Sequence, residues 1–410
     1  MRGSTNSKGI TRRTFLKGAG LGFAVNTLAP VIGIVNSVSS LRVAVIVPES
    51  RHFPPLGDHF MDGLKTYAAV SGQRLNTTLY RTPPGVAAFR KMLHENTADV
   101  VIAYASPLAA QWIGSALDHG QTTLLMVDPG SQVTSQADDN PFVTYHTLNL
   151  WQSNWAMASH AVSQYGQRAM IATSQYESGF SAFAAAQMGV EMSGGQIIDT
   201  VITHMQPENS GIDSLLSAIR ATRPDFVFAA YSGSQAVDFL RAYRDSGLNR
   251  EIPLVASAYT VDEAVLAQVG NAALGIQSAF SWASTNSDQP NVDFLNAYRA
   301  QTARPADSLA LLGYDTAHLL DHAVRMAPGQ RGAALAQAIS TLQIDSPRGI
   351  VSSSTQAGVL GSSVVLREVQ QINGRAQQVM TGQFDAIPEQ EVQSSIAATA
   401  RTGWLNAYLS

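Results

Sequence analysis

The sequence predicts an α/β protein of two similar lobes, each a doubly wound parallel sheet, joined by a hinge. Three observations predict it. Short, nearly continuous apolar runs rich in β-branched residues alternate with longer segments whose apolar residues recur at helical spacing. That alternation starts again after a junction at Phe142–Leu148, with rounds of similar length on either side. No repeat, charge block or low-complexity linker separates the rounds, so the lobes are joined by a short hinge.

Leu41–Pro48 (LRVAVIVP) reads as a buried parallel strand ended by proline. From Leu56, the positions Phe60, Leu64, Tyr67 and Ala68 share one helical face, and Gly72 closes that helix. Leu75–Tyr80 is the next strand, followed by a helix over 85–96 and a strand at Asp99–Tyr104 (DVVIAY). A helix over Leu108–His119 leads to the strand Thr123–Val127, which Asp128-Pro129-Gly130 terminates. The second round has helices over Leu150–Tyr165, Phe180–Met192, Gly211–Ala221 and Ser234–Ser246. Its strands are Ala169–Thr173, Gln196–Thr203, Asp225–Ala230 and Pro253–Ala256.

Composition and the opening residues constrain where such a protein works. The chain has 410 residues, 45 % of them hydrophobic and 14 % charged, enough for one large core or two medium ones. Thr11-Arg12-Arg13-Thr14-Phe15-Leu16-Lys17 resembles the twin-arginine export signal. A weakly apolar stretch, Gly18 to Val35, follows it and is interrupted by Asn26, Thr27 and Pro30. Small residues at Ser37 and Ser39 give a signal peptidase a place to cut, near residue 39. The formal charge is −4, but residues 1–40 carry five basic side chains and no acid; the rest of the chain, with 21 basic and 30 acidic residues, carries −9. That charge argues against nucleic acid or an anionic membrane as partner. With no cysteine there is no disulfide, thiol chemistry, cysteine zinc site or lipid anchor on Cys. Gly18, Gly20 and Gly22 imitate a dinucleotide-binding pattern, but no strand precedes them.

Several short motifs, in order, carry a resemblance. They are Leu56-Gly57-Asp58 with Gly63; Asp99–Ser106 (DVVIAYAS); Asn149 with Gln152; and Tyr176-Glu177-Ser178-Gly179, where the family has Tyr-Gly-x-Gly. Arg223-Pro224-Asp225 before a strand and Tyr314-Asp315-Thr316-Ala317 at the opening of a late helix complete the set. Over most of residues 41–380 the chain is similar to the type I periplasmic solute-binding proteins, specifically the leucine/isoleucine/valine-binding family of ABC importers. The resemblance implies three crossings between the lobes. The N-terminal lobe would comprise 41–146 and 280–345, and the C-terminal lobe 147–279 and 346–410. It also implies a periplasmic monomer that binds a small molecule and meets an ABC permease in the inner membrane.

Ligands of such sheets sit beyond the carboxyl ends of strands. This selects Glu49–Phe53, Tyr104–Ser106, Asp128–Ser131, Gln175–Tyr176, Tyr231–Ser232 and Ser257–Tyr259. The ligand-binding candidates are Tyr104, Ser106, Ser131, Tyr176, Tyr231 and Tyr259. Ser106 has a hydroxyl at a helix start, suited to a carboxylate or to a plain N-cap. Ser131 stands near a family threonine, and Tyr176 and Tyr231 near two family tyrosines. The family's amino-acid binders place an acid after the proline-containing strand of the second lobe; here Val255-Ala256-Ser257-Ala258-Tyr259 has none. Either Glu49, Asp128 or Glu177 supplies the charge, or the ligand carries no α-ammonium. Trp151, Trp155 and Trp282 are either pocket or core residues.

No nucleophile elbow, His-Glu-x-x-His or phosphate loop occurs, and Asp138-Asp139 reads as a turn. His318 and His322, four apart on a helix, are a structural pair rather than a metal site for want of a third ligand. The expectation is therefore a non-enzyme without cofactor. It would be a solute receptor for a small carboxylate- or amide-bearing compound, a branched-chain amino acid or a relative, with an uncharged or aromatic remainder favoured. A periplasmic ligand-sensing subunit of a membrane receptor is the alternative.

Overall fold

A computed structural model describes residues 41–49, 53–72, 76–82, 98–117, 120–133, 140–204, 211–354, 363–384, 387 and 389–399, all within one unit, residues 39–410. The export motif, the helix expected over 85–96 and the turn at Asp138-Asp139 lie outside the described residues.

Two sheets organise the chain. The first holds β1 (Arg42–Pro48), β2 (Asn76–Thr82), β3 (Val100–Tyr104), β4 (Thr123–Asp128) and β5 (Val143–Thr147), in the order β2-β1-β3-β4-β5. Every pairing in it is parallel, with Val43 between Thr77 and Val100. The second holds β6 (Arg168–Ser174), β7 (Gln196–Thr203), β8 (Phe226–Ala230), β9 (Leu254–Ala256) and β10 (Gln277–Phe280), in the order β7-β6-β8-β9-β10. Numbered from its own first strand, each sheet reads 2-1-3-4-5, so the restart seen in the sequence is a repeat of topology. An antiparallel hairpin, β13 (Val365–Ile372) and β14 (Arg375–Gln383), extends the second sheet beyond β10.

The strands are parallel and buried because helices cover them. β1, β3 and β4 are apolar nearly throughout, and their burial is correspondingly continuous. On the first sheet, α1 (Leu56–Ser71) lies against the long α9 (Ser308–Met326). On the second, α3 (Leu150–Tyr165) packs on α4 (Ser181–Met192), with Gly189 against the backbone of Trp155. The remaining helices are α2 (Ala110–Gly114), α5 (Ile212–Thr222), α6 (Gly233–Asp245), α7 (Glu263–Val269), α8 (Gln289–Thr302), α10 (Gly332–Ser340) and α11 (Glu389–Thr399). A small hairpin, β11 (Gln343–Ser346) and β12 (Gly349–Ser352), follows α10, and Ser354 then bridges Tyr145 at the edge of the first sheet.

Two expectations change and one open alternative is decided. The helix expected over Leu108–His119 is a 3₁₀ turn at Pro107–Ala109 and the short α2, after which the chain tightens into i to i+3 turns, Ala116 and Leu117 donating to the Ile113 and Gly114 carbonyls. Tyr314–Ala317 do not open the late helix: Asp307 caps it two turns earlier by accepting the Ala310 amide at 2.9 Å. Trp151 and Trp282 are fully buried core residues, Trp282 donating to Asn291 Oδ1 at 2.8 Å. Among the described residues no helix is long and apolar enough to cross a membrane.

Candidate functional site

The carboxyl ends of the two sheets face each other across a cavity of about 630 Å³, counting the space open at its mouth. The first sheet contributes Phe53 and Leu56 after β1, Tyr104 at the end of β3, Pro129 and Ser131 after β4, and Leu309 from the start of α9. The second contributes Tyr176, Glu177 and Phe180 after β6, Ser232 and Gly233 after β8, and Tyr259, Asp262 and Val265 after β9. Leu150, at the start of α3, completes the lining next to the first crossing.

Hydrogen bonds join the two walls on both flanks. Gln132 Oε1 accepts from the Ser181 amide at 3.1 Å and the Ser181 hydroxyl at 2.7 Å, and the Ser131 carbonyl accepts from the Ala182 amide at 2.8 Å. Opposite, Ser308 donates to Asp262 Oδ2 at 2.6 Å. The arrangement is that of lobes drawn together over the cavity.

Of the residues that the sequence singled out, Tyr104, Ser131, Tyr176 and Tyr259 line the cavity together. Tyr104 stands edge-on to Phe60 at 5.7 Å, Tyr176 edge-on to Phe180 at 5.2 Å, and Tyr259 edge-on to Phe280 at 6.0 Å. Tyr231 is not brought there. Its ring stacks on Phe239 at 4.5 Å in the second sheet's core, and its backbone is clamped by the Thr260 hydroxyl. Alternation along the chain turns the next residue, Ser232, to the cavity instead. Ser106 is buried and is not part of the lining.

The three acids considered for the missing charge part company. Glu49 is exposed. Asp128 is buried behind Ser131 at 1 % exposure, with neither carboxylate oxygen in a full hydrogen bond. Burial pushes it up to about 7, against a partial offset from the amides of Gly130 and Ser131. Glu177 is half-buried and lines the cavity; burial pushes it up to about 7, while the Ser232 hydroxyl nearby opposes the shift.

Asp262, which the sequence reading missed, also lines the cavity. It caps α7 by accepting the Ala264 amide at 3.2 Å. Burial first, and the charge of Asp307 second, push it up to about 6, while the bonds from Ser308 and Ala264 pull it back. Asp262 lies three residues beyond the strand-end neighbourhood that closes at Tyr259; its signal is Asp262-Glu263 ahead of Val265, Leu266 and Val269, an N-cap pattern. His318 stacks on Tyr67 at 4.8 Å, and among the described residues no group of three potential ligands gathers around a metal position.

Asp128 yields a signed prediction. Its carboxyl titrates near 7 in the folded protein and near 4 unfolded, so between those values the folded state holds the extra proton. Its contribution favours folding at low pH and is lost as pH rises from about 4 to 7. Asp128→Asn is therefore expected to stabilise the protein at pH 8 by on the order of 2 kcal/mol and hardly at all at pH 4. Urea unfolding of both proteins at the two pH values measures the difference; an equal effect at both would refute the assignment.

Two parallel sheets of one topology, closing by their carboxyl edges on a small-molecule cavity, define a two-lobed binding protein. A family described as periplasmic binding protein matches residues 80–376, and the chain belongs to that family. Leu/Ile/Val-binding protein homolog 6 of Brucella melitensis biotype 1 is 24 % identical over 344 residues, 80 % of this chain and 87 % of the relative. Among solved structures, a solute-binding protein of an ABC transporter from Rhodopseudomonas palustris BisB5, in complex with 3,4-dihydroxybenzoic acid, superposes with a TM-score of 0.74 at 20 % identity; the match covers 85 % of this chain and 98 % of that one. A leucine-binding protein from Thermotoga maritima gives a TM-score of 0.65 at 17 % identity over 83 % and 97 % of the two chains. The family's location is the periplasm.

Proposed function

We propose that the protein is an exported solute receptor that closes on a small carboxylate- or amide-bearing ligand and delivers it to an ABC permease in the inner membrane. The observation that carries this reading is the cavity between the two carboxyl edges, where five aromatic rings surround a few polar groups. Ser131 on one wall and Ser232 on the other provide hydroxyl donors for a carboxylate or amide. Tyr104, Tyr176, Tyr259, Phe53 and Phe180 favour an aromatic or branched apolar body. The dihydroxybenzoate and leucine named for the two solved relatives share that design, a carboxylate on an apolar frame. The lobes proposed are those read from the sequence, except that the hairpin β11–β12 and Ser354 lie beside the first sheet and extend its second segment from 280–345 to 280–354. The receptor works as a monomer, without cofactor or catalysis.

A thermal-shift screen with benzoate, 4-hydroxybenzoate, benzamide, leucine and valine tests the reading. A ligand at a hundred times its Kd adds about 2.7 kcal/mol to stability. Tyr176→Ala is expected to weaken the best ligand roughly tenfold or more and to leave the unliganded protein folded. Wild-type affinity in Tyr176→Ala would remove the cavity from the function. The export route has its own test: Arg12→Lys with Arg13→Lys is expected to leave the protein in the cytoplasm, and normal arrival in the periplasm would rule out the twin-arginine route alone.

A further inference from the structure

Two aspartates that cap helices of opposite lobes meet beside the cavity. Asp262 begins α7 in the second lobe and accepts the Ala264 amide through Oδ1 at 3.2 Å. Asp307 begins α9 in the first lobe and accepts the Ala310 amide through Oδ1 at 2.9 Å. Ser308, next in the chain to Asp307, donates its hydroxyl across the cleft to Asp262 Oδ2 at 2.6 Å. Asp262 is 6 % exposed and Asp307 2 %, so water and salt do little to screen one carboxylate from the other.

The charges around the pair do not balance when every acid is ionised. Glu263 on α7 adds a third carboxylate, with both oxygens buried. Arg367 on β13, held by Ser278 and the Trp282 carbonyl, is the permanent cation that acts on Asp262 and Glu263. From the first lobe, His59 on α1 contacts Asp307 Oδ2, and Arg304 nearby is paired with Asp62. Tyr259, with Asp128 beyond it, and Tyr298 on α8 stand near the two aspartates; burial holds both phenols neutral. Three carboxylates thus face one arginine and one titratable histidine. Asp307, Ser308 and His59 belong to one lobe and Asp262, Glu263 and Arg367 to the other, so opening the cleft would part the two sets and return the aspartates to water.

We propose that Asp262 and Asp307 form a proton-operated latch between the lobes: a proton held by the pair lets the cleft close, and its loss drives the cleft open. The inference rests on the receptor reading above for its use and adds a control over closure. Linkage gives the sign. Burial first, and the charge of Asp307 second, raise the Asp262 carboxyl to about 6 in the closed cleft, whereas in water it titrates near 4. The closed lobes therefore hold the proton more tightly, an advantage complete below about pH 4 and lost as pH rises to about 6. His59 acts in the same sense. Burial lowers it, but the bond to Asp307 and that acid's charge outweigh burial and keep it above the ordinary imidazole value, so it answers the Asp307 charge at low pH and no longer does at high pH.

The chain has no cysteine, so Gln111→Cys and Ser234→Cys introduce its only thiols for spin labels. Both positions are exposed, one on α2 after β3 and the other on α6 after β8, on either side of the cleft. Pulsed dipolar spectroscopy of the labelled full chain, without ligand, gives the distance distribution at pH 5 and pH 8. The ratio of closed to open molecules is expected to fall roughly tenfold between the two. Asp262→Asn keeps a side chain able to cap α7 and removes the charge; its distribution is expected to be the same at both pH values. Asp307→Asn is expected to flatten the response in the same way. Ser308→Ala is expected to enlarge the open fraction at both pH values and to retain the pH dependence. A wild-type distribution that does not change with pH, or an Asp262→Asn variant that still opens at pH 8, would overturn the latch. No ligand enters the measurement, so that result would leave the receptor reading standing, and failure of the receptor reading would show in the ligand screen instead.

Discussion

Arg348→Ala is expected to destabilise the protein by about 3–5 kcal/mol, the usual cost of stranding one partner of a buried ion pair. The guanidinium is fully buried and pairs through Nε with Asp315 Oδ2 at 2.9 Å. It also donates to Ser281 Oγ at 3.1 Å and to the Thr147 carbonyl at 2.9 Å, while Ser281 donates in turn to the Leu148 carbonyl at 2.9 Å. Thr147 ends β5 at the first crossing between the lobes, Ser281 follows β10 at the second, and Arg348 lies in the β11–β12 turn shortly before the third. Asp315 accepts Ser346 Oγ through its other oxygen at 2.6 Å, so the turn itself is part of the network. Loss of the arginine leaves a buried carboxylate and unsatisfied groups at two crossings. Urea unfolding is the measurement, and a loss under 1 kcal/mol would show that the network carries little. The double variant Arg348→Met/Asp315→Leu is expected to recover part of the loss, since no buried charge then remains.

His146 agrees with this picture. Burial first, and the Arg348 charge second, hold its pKa well below the ordinary imidazole value. A neutral ring presents a lone pair to the guanidinium, whose Nη2 lies 3.5 Å from Nε2. The hinge therefore carries its charge as one compensated pair.

How much of this was legible in the chain differs by scale. The strands β1, β3, β4, β6 and β8 announce themselves because a strand buried on both faces must be apolar throughout. The hairpin β13–β14 does not: Gln, Arg and Glu fill it, and its inward arginine, Arg367, is buried through bonds to Ser278 and the Trp282 carbonyl that no local pattern encodes. The rule that ligands lie beyond strand ends located both walls, but it fixes a neighbourhood and not a direction. At β8 it indicated Tyr231 when the pleat delivers Ser232, and at β9 it stopped short of Asp262, which a 3₁₀ turn at Ala258–Val261 carries back to the cavity. Arg348 and Asp315 are 33 positions apart and meet only once the hairpin folds back, so their pairing has no sequence signal. The glycines of the first helix were legible as a motif; their reason was not.

That reason sets the other large effect. Gly63 on α1 and Gly313 on α9 lie back to back where the two helices cross. A Cβ on Gly63 would stand 1.9 Å from the Ala310 carbonyl oxygen and 2.9 Å from the Tyr314 nitrogen; one on Gly313 would stand 2.0 Å from the Phe60 carbonyl oxygen. These obstacles are backbone atoms, which no rotamer change can move, so either substitution must drive the helices apart. Around them Tyr67 stands edge-on to Tyr314 at 5.2 Å and donates to Asp321 Oδ2 at 2.8 Å, contacts that the separation would loosen. Gly63→Ala is accordingly expected to cost about 3 kcal/mol, at the upper end for overpacking. Gly57→Ala on the same helix is expected to cost less, because its nearest neighbour is a Val47 side-chain methyl at 2.8 Å that can yield. The double variant Gly63→Ala/Gly313→Ala should cost less than the sum of the two single variants, since a crossing already opened by one methyl admits the second more cheaply. Unfolding free energies of the four proteins decide it: strict additivity would mean that the two glycines relieve separate contacts, and a neutral Gly63→Ala would mean that the helices do not cross this closely in solution.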